Sequence, residues 1–206
     1  MAELVLKMSM SLDGFVGGPN GEMDWVAKSR DPEGAAWVVA SIASAGHHAI
    51  GARMYREWSS FWPFAPGPFN APMNQIPKVV FSRGGAAAEA ATARALDAAR
   101  AEAQTPADRQ NLQSWLEARV LTGDLATAIA ELKAQPGKPI YAQGGSSFCR
   151  ALVELDLVDE YRLVVHPVVL GAGQSLFSGV RGVRDLKLIE STRFASGTVA
   201  NVFRKA

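Results

Sequence analysis

A strand-to-helix turn is encoded by Tyr141-Ala142-Gln143-Gly144-Gly145-Ser146-Ser147-Phe148. The apolar run over residues 139–142 predicts a buried strand, and the apolar residues at 148, 151, 152 and 155 have helical spacing. The two glycines therefore lie where backbone N–H groups and the positive end of a helix dipole converge on an anion. Glycine suits such a turn because a side chain would block a phosphate group. Glycine pairs also join strands to helices for structural reasons alone, so the turn by itself does not establish an anion site.

Composition predicts a globular protein with a sizeable core. Hydrophobic residues make up 48% of the 206 residues, and the formal net charge of +1 gives no reason to expect nucleic acid or a membrane surface as a partner. No linker-like stretch divides the sequence, so we expect a single domain over residues 1–206. Cys149 is the only cysteine, so an intramolecular disulfide is excluded, which fits a reducing cytoplasm. We interpret Cys149 as a packing residue.

Neither a membrane-spanning helix nor a secretory leader is expected in this sequence. No apolar run approaches the roughly 18 residues of a membrane-spanning helix. The first residues lack the pattern of a secretory leader, so a cytoplasmic location is expected.

Strand and helix patterns alternate along the chain and end in a hairpin. Strands are predicted over residues 4–10, 48–51, 78–81, 118–121, 139–142, 160–165, 186–194 and 198–203, with a turn at Ser196-Gly197. Helices are predicted over 34–45, 53–58, 85–104, 124–134 and from 148 onward, and Thr105 to Asp108 is predicted to end the third of them. Residues 59–77, rich in proline and aromatic residues, are predicted to form a loop. This order predicts an α/β sheet with one antiparallel edge.

Small or basic residues follow several of the predicted strands. Ligands of such sheets bind at the carboxyl ends of the strands. The loops after Met10, Ile50 and Ala142 have that position, and Ser82-Arg83 ends a fourth strand. A core alone does not require this pattern.

Seven segments carry a resemblance to a known family, and they occur in family order. They are Met10-Ser11-Leu12-Asp13-Gly14-Phe15-Val16, Gly21-Glu22-Met23-Asp24-Trp25, Ile50-Gly51-Ala52-Arg53-Met54-Tyr55, Val79-Val80-Phe81-Ser82-Arg83, Gln143-Gly144-Gly145-Ser146-Ser147-Phe148, Leu157-Val158-Asp159-Glu160-Tyr161 and His166-Pro167-Val168-Val169-Leu170-Gly171-Ala172-Gly173. Together they resemble the dihydrofolate reductase-like superfamily and, more closely, the branch containing the reductase domain of the riboflavin-biosynthesis enzyme. The resemblance implies a three-layer α/β/α fold with a mostly parallel mixed sheet and a C-terminal antiparallel hairpin. It also implies hydride transfer from NADPH to a small-molecule substrate, and a homodimer.

The resemblance further implies which residues bind NADPH, at three strand ends and one loop. They are Trp25 near the nicotinamide; Gly51, Arg53 and Met54 beside the adenosine half; Ser82 and Arg83 at the 2′-phosphate; and Gly144, Gly145, Ser146, Ser147 and Phe148 at the diphosphate. Backbone amides suit a diphosphate, and a guanidinium suits a phosphate monoester.

Two features depart from the family pattern. The family often has Gly-Arg-x-Thr where this chain has Gly51-Ala52-Arg53-Met54, so Arg53 or Arg83 has to bind the 2′-phosphate, and NADH is an alternative cofactor. Residues 85–113 form a helical insertion relative to the usual short loop. This insertion covers the cofactor, covers a dimer edge, or is a solvated addition to the fold.

Asp13 and Gln143 are the candidate catalytic residues. Hydride transfer requires placement and a proton source. Dihydrofolate reductases place a carboxylate on the first helix, but residues 35–45 contain none, so dihydrofolate is not the expected substrate. Asp13 is the candidate acid, with a turn role before Gly14 as its alternative. Gln143 is the candidate for orienting the substrate, with a bond to nearby backbone as its alternative.

Other chemistry-bearing residues carry weaker signals. His166, before Pro167, is interpreted as structural, and no His/Cys/Asp cluster has metal-ligand spacing, so no metal is expected. The aromatic residues Trp62, Phe64 and Phe69 either line a pocket for a flat heterocycle or anchor their loop.

Three functions are compatible with the sequence. The first is an NADPH-dependent reductase of a small heterocyclic or imine/carbonyl substrate, pterin- or ribosylaminopyrimidine-like. The second is the 5-amino-6-(5-phosphoribosylamino)uracil reductase of riboflavin biosynthesis. The third is a nucleotide-binding module without catalysis.

Overall fold

Eight strands and eight helices make up the protein, and the computed structural model describes all of residues 1–206. The strands are β1 Leu4–Ser11, β2 His47–Gly51, β3 Lys78–Ser82, β4 Arg119–Thr122, β5 Ile140–Gln143, β6 Glu160–His166, β7 Leu186–Arg193 and β8 Val199–Lys205. The helices are α1 Trp25–Lys28, α2 Pro32–Ala43, α3 Ala52–Ser59, α4 Asn70–Gln75, α5 Gly85–Glu102, α6 Pro106–Leu116, α7 Leu125–Ala134 and α8 Ser146–Glu154. None of the helices combines the length and apolarity needed to span a bilayer.

The strands form one sheet in the order β4-β3-β2-β5-β1-β6-β8-β7. The pairs β1–β6, β2–β3 and β3–β4 are parallel, whereas β6–β8 and β7–β8 are antiparallel. The predicted fold class, a mostly parallel α/β sheet with an antiparallel C-terminal hairpin, is therefore confirmed.

The chain divides into two compact units. The first consists of Met1–Ala2 and Val39–Tyr141, and the second of Glu3–Val38 and Ala142–Ala206. The first unit holds β2, β3 and β4 with α3 to α7. The second holds β1, β6, β7 and β8 with α1 and α8, and the boundaries pass through α2 and β5.

Two sequence predictions in the first unit are wrong. Residues 59–77 are not all loop, because Asn70–Gln75 forms α4; Pro72 is tolerated in its first turn, where a missing N–H breaks no intrahelical bond. The segment Thr105 to Asp108 does more than end a helix, because it is the capping box that begins α6. Thr105 Oγ1 accepts from the Asp108 N–H at 3.1 Å, and the Asp108 carboxylate accepts from the Thr105 N–H at 2.9 Å.

The two helices of the insertion differ in how they are held. In α5 only Ala99 is buried, which fits the expectation of a solvated addition. In α6, by contrast, Leu112 and Trp115 are buried, so α6 is part of the core of the first unit. A high alanine content predicted α5, whereas α6 depends on contacts that propensity does not encode.

A polar network within the first unit joins α6 to α4. The Ser114 hydroxyl donates to the Asn74 carbonyl, and Trp115 Nε1 donates to Asn74 Oδ1 at 2.7 Å. Asn74 Nδ2 in turn donates to the Trp62 carbonyl at 2.9 Å. The Asn74 side chain, which is 2% exposed, thereby has its polar atoms satisfied in a place where unpaired groups are costly.

Lys78, the first residue of β3, is buried beside this network. Its Nζ donates to the Ile76 carbonyl at 2.7 Å and to Ser114 Oγ at 2.6 Å, and lies 4.5 Å from the centre of the Trp115 ring. Burial lowers the pKa of Lys78 to about 7. The folded protein therefore binds the lysine proton less tightly than the unfolded chain does.

The burial of Lys78 predicts a stability that rises with pH. Between about pH 7 and the ordinary lysine pKa of 10.5, the unfolded chain is protonated at Lys78 and the folded protein is not. Lys78 then adds up to about 1.4 kcal/mol per pH unit to the free energy of unfolding across that window. Urea unfolding from pH 6.5 to 10 will show this slope.

The variant Lys78→Met isolates that contribution, since methionine keeps the apolar stem without the proton. Its pH slope should be smaller than that of the wild type above pH 7. Equal slopes would show that Lys78 is charged in the folded protein.

Candidate functional site

Gly144 and Gly145 form the predicted turn between β5 and α8. Both have left-handed backbone, with φ of 69° and 70°, a conformation that glycine adopts without steric cost. Gly145 is the N-cap residue of α8 and, being glycine, makes no side-chain cap bond. Since the first N–H groups of a helix have no partner within it, this turn presents donors and the positive helix end to an anion.

A buried cysteine also contacts the glycine turn at the start of α8. Cys149 is fully buried, and its Sγ donates to the Gly144 carbonyl at 3.2 Å. Burial raises the pKa of Cys149 to about 12. The thiol is therefore protonated at neutral pH and packs under the turn.

Gln143 occupies the last position of β5, immediately before the glycine turn. It is 7% exposed, so its side chain is buried at the end of the strand. This is the position from which the sequence assigned it a substrate-orienting role.

Gln174 joins the start of α8 to the loop between β1 and α1. The Ser146 hydroxyl donates to Gln174 Oε1. The backbone N–H of Val16 donates to the Gln174 carbonyl, and the Gln174 N–H donates to the Gly17 carbonyl, both at 2.8 Å. Sequence reasoning did not single out Gln174, although it directly follows the seventh resemblance segment, whose last residue is Gly173.

Asp13, the candidate acid, accepts hydrogen bonds from backbone. Its carboxylate accepts from the Leu170 N–H at 3.2 Å and from the Gly171 N–H at 2.7 Å. A hydrogen bond from Ser11, followed by these backbone bonds, holds the pKa of Asp13 below its ordinary value. The carboxylate is thus anionic at neutral pH, and its backbone contacts are those expected of the turn role.

Trp25 begins α1 and is 4% exposed. Its ring packs edge-on against His166, with centroids 5.4 Å apart at 86°. Its Nε1 donates to the Glu22 carbonyl at 2.9 Å. The indole predicted to close on the nicotinamide is therefore fixed on both sides within the second unit.

His166 ends β6 and is 4% exposed. Its Nδ1 lies 2.7 Å from Ser29 Oγ, while its buried Nε2 has no hydrogen-bond partner. Burial, and then the charge of Lys7, lowers the pKa of His166 to about 4. The imidazole is neutral at physiological pH and links α1 to the sheet.

A polar strip along β1 was missed by sequence reasoning. Lys7, Ser9 and Ser11 alternate with apolar residues, so they share one face of the strand. Lys7 Nζ donates to Ser9 Oγ at 3.3 Å, and burial lowers the pKa of Lys7 to about 8. Ser11 pairs in register with His166. The strip places three polar side chains within the second unit, and period-two alternation was the signal for it.

In the first unit the predicted residues lie at the carboxyl ends of β2 and β3, which are adjacent because Gly51 pairs with Phe81. This brings Gly51, Arg53 and Met54 beside Ser82 and Arg83. The guanidinium of Arg53 forms an exposed ion pair with Glu57 at 3.1 Å.

Arg83 is exposed and forms no ion pair. The Ser82 hydroxyl accepts from the Gly84 N–H at 3.4 Å.

The aromatic loop after α3 lies elsewhere in the first unit. Trp62 packs against Phe61 and Phe69, with ring centroids 5.1 Å and 6.1 Å apart. Phe61 and Phe64 line a cleft of about 420 Å³ with the last turn of α5. Because α5 starts beside Ser82-Arg83 and rises 1.5 Å per residue, the cleft lies about 20 Å from those residues.

No group of three or more His, Cys, Asp or Glu side chains is arranged to hold a metal ion.

The sheet, its hairpin and the glycine turn define a dihydrofolate reductase-like domain. A putative riboflavin biosynthesis protein from Shewanella sp. PV-4 has the same fold, with a TM-score of 0.70 and 19% identity over 100% of this chain and 99% of that one. The sequence model of the RibD C-terminal domain matches residues 2–200, and the chain belongs to that family.

Two further proteins are similar to this chain. The uncharacterized protein YyaP of Bacillus subtilis (strain 168) is 29% identical over 205 residues, which are 97% of this chain and 93% of that protein. A diaminohydroxyphosphoribosylaminopyrimidine deaminase/5-amino-6-(5-phosphoribosylamino)uracil reductase from Thermotoga maritima matches with a TM-score of 0.63 and 14% identity. That alignment covers 100% of this chain and 57% of the Thermotoga chain.

The contacts of Asp13 predict that it stabilises the fold as an acceptor. Asp13→Ala should lower the melting temperature, because the Leu170 and Gly171 N–H groups lose their partner. Asp13→Asn should lower it less, since the amide oxygen still accepts. The pKa of Asp13 is depressed in the folded state, so the wild-type advantage over Asp13→Asn should vanish as pH falls through that pKa.

Differential scanning calorimetry from pH 3 to 7 measures this, with Asp24→Asn in the same loop as control. Equal melting temperatures for Asp13→Ala and the wild type would contradict it.

Proposed function

We propose that the protein is an NADPH-dependent reductase of a small heterocyclic or imine/carbonyl substrate, pterin- or ribosylaminopyrimidine-like. The observation that carries the proposal is the left-handed Gly144–Gly145 turn at the start of α8, in a chain of the RibD C-terminal domain family. A turn of this kind fits a diphosphate, because its two glycines have no side chains to occupy the space in which the phosphate groups would bind.

The second unit supplies the diphosphate-binding and nicotinamide-side residues. Gly144, Gly145, Ser146 and Ser147 offer backbone N–H groups and a hydroxyl to the diphosphate. Phe148, whose N–H donates to the Gly145 carbonyl at 3.0 Å, lies beside the same group. Trp25 is held in place by Glu22 and His166. When bound, the cofactor supplies the hydride, and the protein binds the two reactants and orients them.

The first unit supplies the residues for the adenosine half. The guanidinium of Arg83 is exposed and not engaged by a carboxylate, so it binds a phosphate monoester without first breaking an ion pair. Gly51, Arg53 and Met54 follow the neighbouring strand. The absence of an arginine at Ala52 leaves the choice between NADPH and NADH to Arg83 and Arg53.

Gln143 orients the substrate in this proposal, from a buried position at the end of β5. The anionic state of Asp13 makes it an unsuitable proton donor at neutral pH. A proton from solvent, delivered once the substrate is bound, satisfies the chemistry without a dedicated acid.

A second candidate is the 5-amino-6-(5-phosphoribosylamino)uracil reductase reaction of riboflavin biosynthesis. The name of the Thermotoga maritima protein, to which this chain is similar in fold, includes that activity. Its substrate carries a phosphate, so this candidate requires a second anion site besides the one for the cofactor.

Cofactor binding is the first prediction of the proposal. Thermal-shift and fluorescence titrations of the wild type should show tighter binding of NADPH than of NADH. Arg83→Ala should weaken NADPH binding about tenfold, the effect of one charge-assisted hydrogen bond, and leave NADH binding unchanged. Arg100→Ala, which removes an exposed arginine of α5, is the control.

Equal loss for both nucleotides would refute the role of Arg83, and no binding of either would refute the cofactor assignment. Oxidation of NADPH at 340 nm across pterins, ribosylaminopyrimidines and cyclic imines then tests turnover. Binding without turnover in the whole panel would favour the nucleotide-binding module.

We also propose a homodimer that forms through β7. This strand pairs only with β8, lies at the sheet edge, and exposes Leu186, Leu188 and Ile189. In a two-fold antiparallel pairing centred between Leu188 and Ile189, Lys187 faces Glu190 of the second copy. Opposite charges in register favour a second copy over an unrelated strand.

The dimer is tested by sedimentation velocity at 1–50 µM. Leu188→Lys should shift the protein towards monomer, because it places two like charges near the two-fold axis. Val183→Lys replaces an exposed apolar residue of the same unit outside the strand and should leave the dimer intact. A monomeric wild type would overturn the proposal.

A further inference from the structure

The side chain of Gln174 touches two parts of the second unit that the proposed function uses separately. Its Oε1 accepts from the hydroxyl of Ser146, the first residue of α8. Its amide also packs against the loop between β1 and α1. A Cβ added to Gly17 would lie 3.6 Å from Oε1, and one added to Gly21 would lie 3.3 Å from Nε2.

The backbone around Gln174 holds the same loop. Phe15 and Ser175 form an antiparallel bridge, next to the reciprocal bonds between Gln174 and residues 16 and 17. A Cβ on Gly173 would collide with the Gly17 carbonyl. Glycine at 173 is therefore required for this close approach, and Gln174 is anchored where both partners are within reach.

Residues 17–22 form a closed turn that leads to Trp25. The Gly18 N–H donates to the Glu22 carbonyl and the Gly21 N–H donates to the Gly18 carbonyl, both at 3.0 Å. The Glu22 carbonyl also accepts from Trp25 Nε1 at 2.9 Å. A shift at Gly17 or Gly21 therefore moves the turn and the indole together.

The Ser146 hydroxyl has one proton, which it donates either to Gln174 or to an anion at the α8 N-terminus. A bound anion becomes the acceptor of this hydrogen bond in place of Gln174, because charge-assisted hydrogen bonds are stronger than neutral ones. A half-turn of the Gln174 amide then lets Nε2–H donate to Ser146 Oγ while Ser146 donates to the phosphate oxygen. Each bond of this chain polarises the next. The same half-turn exchanges the amide atoms that face Gly17 and Gly21.

We propose that Gln174 is a positioning residue that couples diphosphate binding at the start of α8 to the placement of residues 17–22 and Trp25. This inference rests on the proposed function, since the diphosphate is that of the cofactor. A purely structural role predicts that replacing Gln174 destabilises the free and bound protein equally. Coupling predicts that, once Gln174 is replaced, the ligand no longer changes the turn at residues 17–22.

Hydrogen exchange by mass spectrometry over residues 15–25 separates the two roles, with NADPH and inorganic pyrophosphate as separate probes. In the wild type each probe should slow exchange in this segment. In Gln174→Leu, which removes both amide groups, each probe should bind roughly threefold to tenfold more weakly, the effect of one hydrogen bond, and exchange should no longer respond at saturation. Gln113→Leu, on the exposed face of α6, is the matched control.

Two further variants keep the test sharp. Ser146→Ala should abolish the exchange response as Gln174→Leu does, and the double variant should bind no more weakly than either single one. Gln174→Glu keeps an acceptor for Ser146 but adds a negative charge, so it should bind pyrophosphate more weakly than Gln174→Leu does.

A full exchange response in Gln174→Leu, or none in the wild type at saturating ligand, would overturn the coupling. If pyrophosphate binds and slows exchange while NADPH does not bind, the cofactor assignment fails and the coupling stands for an anion. If neither probe binds, both fail.

Discussion

Two consecutive left-handed residues, Gly144 and Gly145, are the constraint on which the candidate site depends. They let β5 end and α8 begin within two residues, so that the first turn of α8 faces the carboxyl end of the strand. For any other residue, left-handed backbone costs about 1–2 kcal/mol per position. The glycines thus serve both the connection and the proposed anion site, and Cys149 packs beneath them, bonded to the Gly144 carbonyl.

Gly173, in the same unit, is a second position where a glycine is required by the backbone. The close approach of Gly173 to the Gly17 carbonyl fixes the β1–α1 loop on the segment after β6. Asp13 fixes the other end of the same loop by accepting from Gly171. The loop that leads to Trp25 is therefore held at several points, and in our proposal the Gln174 amide is the contact that changes when a ligand binds.

The sequence predicted what local pattern encodes and missed what tertiary contact encodes. Apolar runs and alternation located every strand, and the glycine turn was located because a glycine pair lies between a strand pattern and a helix pattern. The helix α4 was missed because a proline-rich composition outweighs the tolerance of Pro72 in a first turn. The role of Gln174 was invisible because its partner Ser146 lies 28 residues away in sequence, and no local pattern specifies which loop an amide will reach.

In the proposed function, the residues at the ends of β2 and β3 distinguish a 2′-phosphate from a hydroxyl. Arg53 and Glu57 are exposed, with 88% and 52% of their side chains accessible, so their ion pair is worth only about 0.3–0.5 kcal/mol. That cost is small enough for Arg53 to leave Glu57 for a phosphate, but Glu57 then remains nearby and repels the same phosphate. Arg83 has no such carboxylate partner. A carboxylate beside the ligand opposes phosphate binding, whereas an unpaired cation favours it. The proposed discrimination between NADPH and NADH therefore rests mainly on Arg83, which in this proposal takes the place of the arginine missing at Ala52.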